Sequence, residues 1–139
     1  MTAETYREEP SLISAITRVL EADPRVVFAY LYGSLQREGH GRDIDIAVCP
    51  VDRVDGDSVA LDLKIALYRE TGVPADAFDV RPIREVLASG DIFGLLYLKS
   101  VLEGGRLLVD KDPDVRAAFL ECYGFRYREC AGMIQEVLA

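Results

Sequence analysis

Asp43 and Asp45 stand one residue apart in the run Asp43-Ile44-Asp45-Ile46-Ala47-Val48, which is otherwise apolar. In an extended chain alternate side chains share a face. The two carboxylates therefore point one way, about 7 Å apart at the backbone, while Ile44, Ile46 and Val48 point the other. Neighbouring carboxylates repel, and at neutral pH one of them must take up a proton unless a cation lies between them. A divalent ion, most simply Mg²⁺, removes the conflict, because carboxylate oxygens are the donors it prefers. A chance pair of this kind is common in a chain with 24 acidic residues. What sets this pair apart is its apolar strand setting, in which acids lose hydration unless something binds them.

The chain ahead of the acids supplies the second half of a phosphate-transfer site. Val26 to Leu31 is an apolar run of strand formers that ends at Tyr32, Gly33 and Ser34. Glycine lets the backbone turn sharply and approach a ligand closely. Ser34 is expected to cap the short helical segment Leu35 to Glu38, with free backbone N–H groups and its hydroxyl directed at an anion. A mobile Gly39-His40-Gly41 loop then leads to the acidic strand. Arg42, and with it Arg37, could contact a triphosphate or neutralise Asp43, although a solvated arginine is the more frequent case. His40, the only histidine, reads as surface decoration between two glycines.

Gly33-Ser34 followed by Asp43-Ile44-Asp45 resembles the GS…DxD motif of the nucleotidyltransferase superfamily in its minimal (MNT) form. The resemblance implies a polymerase-beta-like palm fold, in which ATP-Mg²⁺ sits on the Gly-Ser turn and the two aspartates hold two metal ions. It further implies a third carboxylate on a later strand that helps to activate the attacking hydroxyl. Asp79, in Ala77-Phe78-Asp79-Val80-Arg81-Pro82, is the candidate: it interrupts an apolar strand pattern and shares a face with Arg81, with which it could also simply pair. The run Val101 to Asp110 and a final helix with Tyr127 resemble the ending of MNT antitoxins paired with HEPN toxins. In such pairs the MNT protein is implied to transfer AMP from ATP to a tyrosine of the HEPN ribonuclease. Eight residues separate Ser34 from Asp43, one or two fewer than the family usually has, and Arg42 stands where a small polar residue is common.

These site residues need elements to hold them. Ser11 to Ala22 carries Leu12, Ile13, Ile16, Val19 and Leu20 at helical spacing. After the acidic strand, Val51 to Gly56 is a charged link whose aspartates suit loops and caps, and a helix over Ser58 to Thr71 stops at Gly72. Arg84 to Ala88 reads as a helical turn, and Asp91 as the cap of a helix from Ile92 to Glu103. Gly104-Gly105 is expected to end that helix through a left-handed cap, ahead of a short strand Arg106 to Val109. Asp114 to Leu138 reads as one long helix with an apolar stripe of Val115, Phe119, Tyr123, Tyr127, Cys130, Ile134 and Leu138. The expected architecture is an α/β domain: a small mixed sheet packed with helices, closed by a long C-terminal helix.

With 139 residues, half of them hydrophobic, one catalytic module over residues 1–139 is expected, without room for a second ordinary domain. The net charge of −8 argues against wrapping a nucleic-acid backbone, since that affinity comes largely from Lys and Arg displacing counterions. No apolar stretch reaches the length of a membrane span, and Met1 to Pro10 is polar and acidic rather than signal-like, so a cytoplasmic location is expected. Cys49, Cys122 and Cys130 have no CxxC spacing; the last two lie roughly 12 Å apart by helical rise, too far for a disulfide. All three read as reduced packing residues.

The leading expectation is adenylyl transfer to a protein hydroxyl, with a HEPN toxin as partner in a hetero-oligomer and ATP-Mg²⁺ as donor. Two other readings stand beside it. One is an antitoxin that inhibits by binding alone, its acidic surface covering a basic ribonuclease site. The other is transfer to a small molecule, for which no second domain is at hand to bind the acceptor.

Overall fold

The apolar run Val26–Tyr32 becomes the central strand β2 of a four-stranded sheet, with every residue buried. The structure is a computed structural model that describes residues 5–139; of the polar N-terminal stretch, residues 1–4 lie outside the described residues. β2 pairs antiparallel with β4 (Ile44–Pro50) on one side and with β6 (Arg106–Asp110) on the other. β4 pairs in parallel with the edge strand β5 (Phe78–Pro82), giving the order β5-β4-β2-β6. A parallel pair needs a crossover. Helix α3 (Gly56–Thr71) supplies it, capped by Asp55, whose side chain accepts from the Asp57 N–H at 3.1 Å.

Alternation along the strands divides the core in two. Ala29, Leu31, Ile44, Ile46, Val48 and Val80 face a layer formed by α1 (Pro10–Ala22) and α3. Phe28, Tyr30, Tyr32, Ala47 and Cys49 face the second layer. That layer holds α4 (Arg84–Ser89), α5 (Ile92–Gly104), α6 (Pro113–Glu129) and α7 (Ala131–Leu138). The expected small mixed sheet packed with helices is therefore what the chain forms, and Asp45, being two residues from Ala47, faces the second layer.

Four expectations need correction. The Gly39-His40-Gly41 segment is not a free loop: His40–Gly41 is a short strand, β3, paired antiparallel with β1 (Tyr6–Arg7). The Glu8 N–H donates to the Gly39 carbonyl at 2.9 Å, and Gly41 is buried against Ser34 and Leu35. The long terminal helix is broken at Cys130, whose backbone leaves helical geometry at φ −102°, ψ 8° and whose N–H is shared between the Arg126 and Tyr127 carbonyls at 3.2 Å each. The break lets α7 bury Ile134 in the second core layer while Leu138, expected on the same stripe, stays exposed. Gly105 ends α5 with extended backbone, not with a left-handed cap; a side chain there would collide with the Val101 carbonyl. Finally, Cys122 is exposed and no core residue, unlike buried Cys49 and half-buried Cys130; all three are free thiols.

Asp91 caps α5 as expected, accepting from the Gly94 N–H at 2.8 Å. Asp91→Ala is expected to cost about 1 kcal/mol, the usual worth of such a cap, and calorimetry should record it as a melting temperature lower by roughly 2–5 °C. Among the described residues no helix is long and apolar enough to cross a membrane.

Candidate active site

β2 ends where the first functional residues begin. Its last residue, Tyr32, lies directly opposite Asp45 in the antiparallel ladder, and Asp45 lies directly opposite Asp79 in the parallel one. Residues paired across a ladder share a face, so three adjacent strands set Tyr32, Asp45 and Asp79 in a row. Arg81, two residues beyond Asp79 on β5, shares that face. Asp43 sits one residue before β4, at an exposed bend, with Ile44 fully buried between it and half-buried Asp45.

The turn after Tyr32 is shaped around Asp45. Gly33 has φ +79°, a conformation side-chain-bearing residues seldom adopt. A Cβ at Gly33 would also run into the Asp45 carboxylate, lying 3.0 Å from its Cγ and closer still to Oδ2. Only a residue without a side chain leaves that acid its place. Gly33 opens α2 (Gly33–Glu38), whose N-cap is Tyr32 with no side-chain cap hydrogen bond. Ser34 therefore stands inside the first turn and does not cap it, contrary to expectation. Half-buried beside the glycine, it has no hydrogen bond from its hydroxyl among the described residues.

The electrostatics follow from this crowding. The Asp45 carboxyl is pushed up to about 6, first by burial and then by the negative charges of Asp79 and Asp43, while Arg81 and Arg37 pull it back. Asp43, Asp45 and Asp79 are thus near enough to feel one another. Among the described residues they do not close into a ready-made group of three metal-ligating side chains. Asp79 is instead engaged by Arg81, whose Nε donates to both carboxylate oxygens at 3.3 Å. The donor set nevertheless suits a hard cation: carboxylate oxygens only, mutual repulsion that a divalent charge would relieve, and a turn cleared of a side chain beside Asp45.

Two hydroxyls, of Tyr32 and Tyr97, join the site without a sequence signal. The Arg81 guanidinium lies over the Tyr97 ring, 5.5 Å from its centroid, within cation–π range. The Tyr97 hydroxyl donates to the Tyr32 hydroxyl at 3.0 Å, and the two rings meet edge to face. Burial drives the Tyr32 hydroxyl far above its ordinary range and raises Tyr97 as well, so both hydroxyls remain neutral. Arg37, exposed on α2, acts on Asp45 through its charge. Arg42 and His40 are exposed and form no ion pair among the described residues. A groove lined by Asp57, Arg81, Pro82, Glu85, Phe93 and Tyr97 opens beside the site. A larger surface cavity lies elsewhere, between α1 and α3, where Arg18 and Glu70 pair with each other and Arg25 with Asp23.

No protein-family model matches the chain, and no curated protein matches it. Solved structures do. One is a crystal structure of the toxin–antitoxin MntA–HpeT, in a mutant with two aspartates one residue apart changed to glutamate. It is 21% identical at a TM-score of 0.59, with 91% of this chain and 98% of that chain covered. A second is the toxin–antitoxin with AMP-PNP, 22% identical at a TM-score of 0.59 and the same coverage. A third, an MntA–HpeT mutant with a tyrosine changed to alanine, is 22% identical at a TM-score of 0.57, covering 94% of this chain and 98% of the other. The chain shares their fold.

Proposed function

We propose that this chain is a single nucleotidyltransferase domain acting as an antitoxin, which transfers AMP from ATP-Mg²⁺ to a tyrosine hydroxyl of a partner HEPN ribonuclease toxin in the cytoplasm. The observation that carries the reading is the row Asp45–Asp79 across the parallel ladder, with Gly33 stripped of a side chain against Asp45. Its support from relatives is of two kinds. A structure sharing the fold binds a nonhydrolysable ATP analogue, and a mutant of another alters two aspartates with the same spacing as Asp43 and Asp45.

In this reading Asp43 and Asp45 hold Mg²⁺, with Asp79 available to a second ion. The bound ions supply neutralisation of charge on the attacking and leaving oxygens. The acceptor hydroxyl oxygen forms a bond to the α-phosphorus as the bond from that phosphorus to the bridging oxygen of the α–β anhydride breaks, and pyrophosphate leaves. Asp79 accepts the hydroxyl proton. Ser34 and the N–H groups of the first turn of α2 hold the outer phosphates, and exposed Arg42, next to Asp43 in the chain, meets them. Rate is gained mainly by positioning and by charges set in advance.

Incubating the protein with labelled ATP, Mg²⁺ and the toxin encoded beside it is expected to add AMP to a toxin tyrosine, seen as a mass increase on the tyrosine-bearing peptide. A specific observation favours a second reading, inhibition by binding alone: Asp79 is occupied by Arg81, and the Ser34–Asp43 connection is short. A toxin that is inhibited but unmodified would support it and defeat the transferase.

A further inference from the structure

Arg81 is tied to three things at once. Its Nε spans both oxygens of Asp79, its guanidinium rests on the face of Tyr97, and its charge reaches Asp45. An ordinary surface ion pair needs only the first. The Tyr97 ring is itself anchored, because its hydroxyl donates to Tyr32, the residue that leads into the Gly33-Ser34 turn. The platform under Arg81 therefore bridges the two halves of the site: β5 with its acid on one side, the end of β2 with its anion-facing turn on the other.

We infer that Arg81 is a nucleotide-positioning residue that changes partner: it holds Asp79 while the site is empty and moves, still on the Tyr97 ring, to a phosphate oxygen when the nucleotide arrives, releasing Asp79. This rests on the nucleotide and cation reading given above. Three physical points carry it. A guanidinium binds phosphate at least as well as carboxylate, through the same planar fork. The pair with Asp79 is open to solvent, with side-chain exposures of 57% and 41%, so breaking it costs little. A guanidinium over an aromatic face keeps its attraction to the ring while its N–H groups exchange acceptors in the ring plane. The arrangement also gives Asp79 a counter-charge of its own before any nucleotide arrives.

The test uses the whole chain and binding, not turnover. Mn²⁺ is titrated by electron paramagnetic resonance without nucleotide, and Mg²⁺–AMP-PNP by calorimetry, for the wild type, Arg81→Ala, Arg81→Gln, Asp79→Asn and the Asp79→Asn/Arg81→Ala double variant. Freeing Asp79 should tighten Mn²⁺ binding by roughly two- to fivefold in both Arg81 variants, the range expected for losing an exposed competing charge. Both should bind the nucleotide about tenfold more weakly, the worth of one charge-assisted phosphate contact. In the Asp79→Asn background, Arg81→Ala should have a clearly smaller effect on Mn²⁺, only what its charge exerts on Asp45. If the wild type binds Mg²⁺–AMP-PNP but the Arg81 variants bind Mn²⁺ and nucleotide as it does, the partner exchange is wrong and the site reading stands. An equal Mn²⁺ gain with and without the Asp79 carboxylate would reduce Arg81 to a general surface charge and overturn the proposal. A wild type that binds neither Mn²⁺ nor nucleotide would sink both.

Discussion

Asp45→Asn is expected to lower AMP transfer by roughly a hundred- to a thousandfold and, at the same time, to make the protein more stable. The two effects have one cause. Folding carries the Asp45 carboxyl into a half-buried position between Asp79 and Asp43, and its pKa rises from 3.8 to about 6. Below pH 4 the carboxyl is neutral in folded and unfolded chains alike and costs nothing. Between about pH 4 and 6 the unfolded chain ionises first, so stability falls as pH rises; above 6 both forms are ionised and the penalty is constant. Asparagine cannot ionise. Its advantage in metal-free buffer should be absent below pH 4, grow to pH 6 and level off there, at about 1 kcal/mol once the shift is discounted for solvent screening. Melting temperatures across that pH range, with transfer assayed at pH 7, check both halves. A structural aspartate would behave the other way, losing stability when replaced. An Asp45→Asn protein that is less stable at pH 7, or that keeps its transfer rate, would remove Asp45 from the site.

Gly33→Ala should damage both properties together. The left-handed backbone at φ +79° costs an L-residue about 1–2 kcal/mol, and the new methyl meets the Asp45 carboxylate before it meets anything else. A total loss of about 2–4 kcal/mol in stability is expected from strain and overlap combined. Because relief of the overlap requires Asp45 to shift, transfer should fall roughly a hundredfold in whatever fraction remains folded, the penalty for about 1 Å of misplacement. Comparing Gly33→Ala with Gly33→Ala/Asp45→Ala separates the causes. The backbone penalty persists in the double variant, while the overlap of the methyl with the carboxylate is removed. Denaturant titration reads the first number and labelled-ATP transfer the second.

The parts of this site that can be read from sequence are those written in neighbouring residues. The run Val26 to Tyr32, bounded by Gly33-Ser34, is a strand followed by a turn because seven apolar positions end at a glycine. The pair Asp43 and Asp45 marks itself by interrupting an apolar alternation, and Asp79 does so again on β5. The Asp79–Arg81 pairing follows from their shared face. The link from Arg81 through Tyr97 to Tyr32 does not, since it joins residues 65 positions apart and no local period records which helix residue will meet a strand end. The break at Cys130 is equally silent: no proline marks it, and what accompanies it, burial of Ile134 in the second core layer where α7 meets α5 and α6, is a property of the assembled core. Two-residue strands such as β1 and β3 are too short to carry a period at all, which is why a glycine-bounded segment reads as loose when it is paired.

The parallel ladder has a consequence beyond chemistry. Backbone hydrogen bonds between β4 and β5 fix how far apart Asp45 and Asp79 stand, so their spacing does not depend on the helices of the second layer. What α5 contributes is of another kind: Tyr97 reaches Arg81 and Tyr32 from that layer, so a shift of the helix would alter how the acids are attended and leave the distance between their backbones alone. Spacing and attendance are thereby assigned to different portions of one small chain.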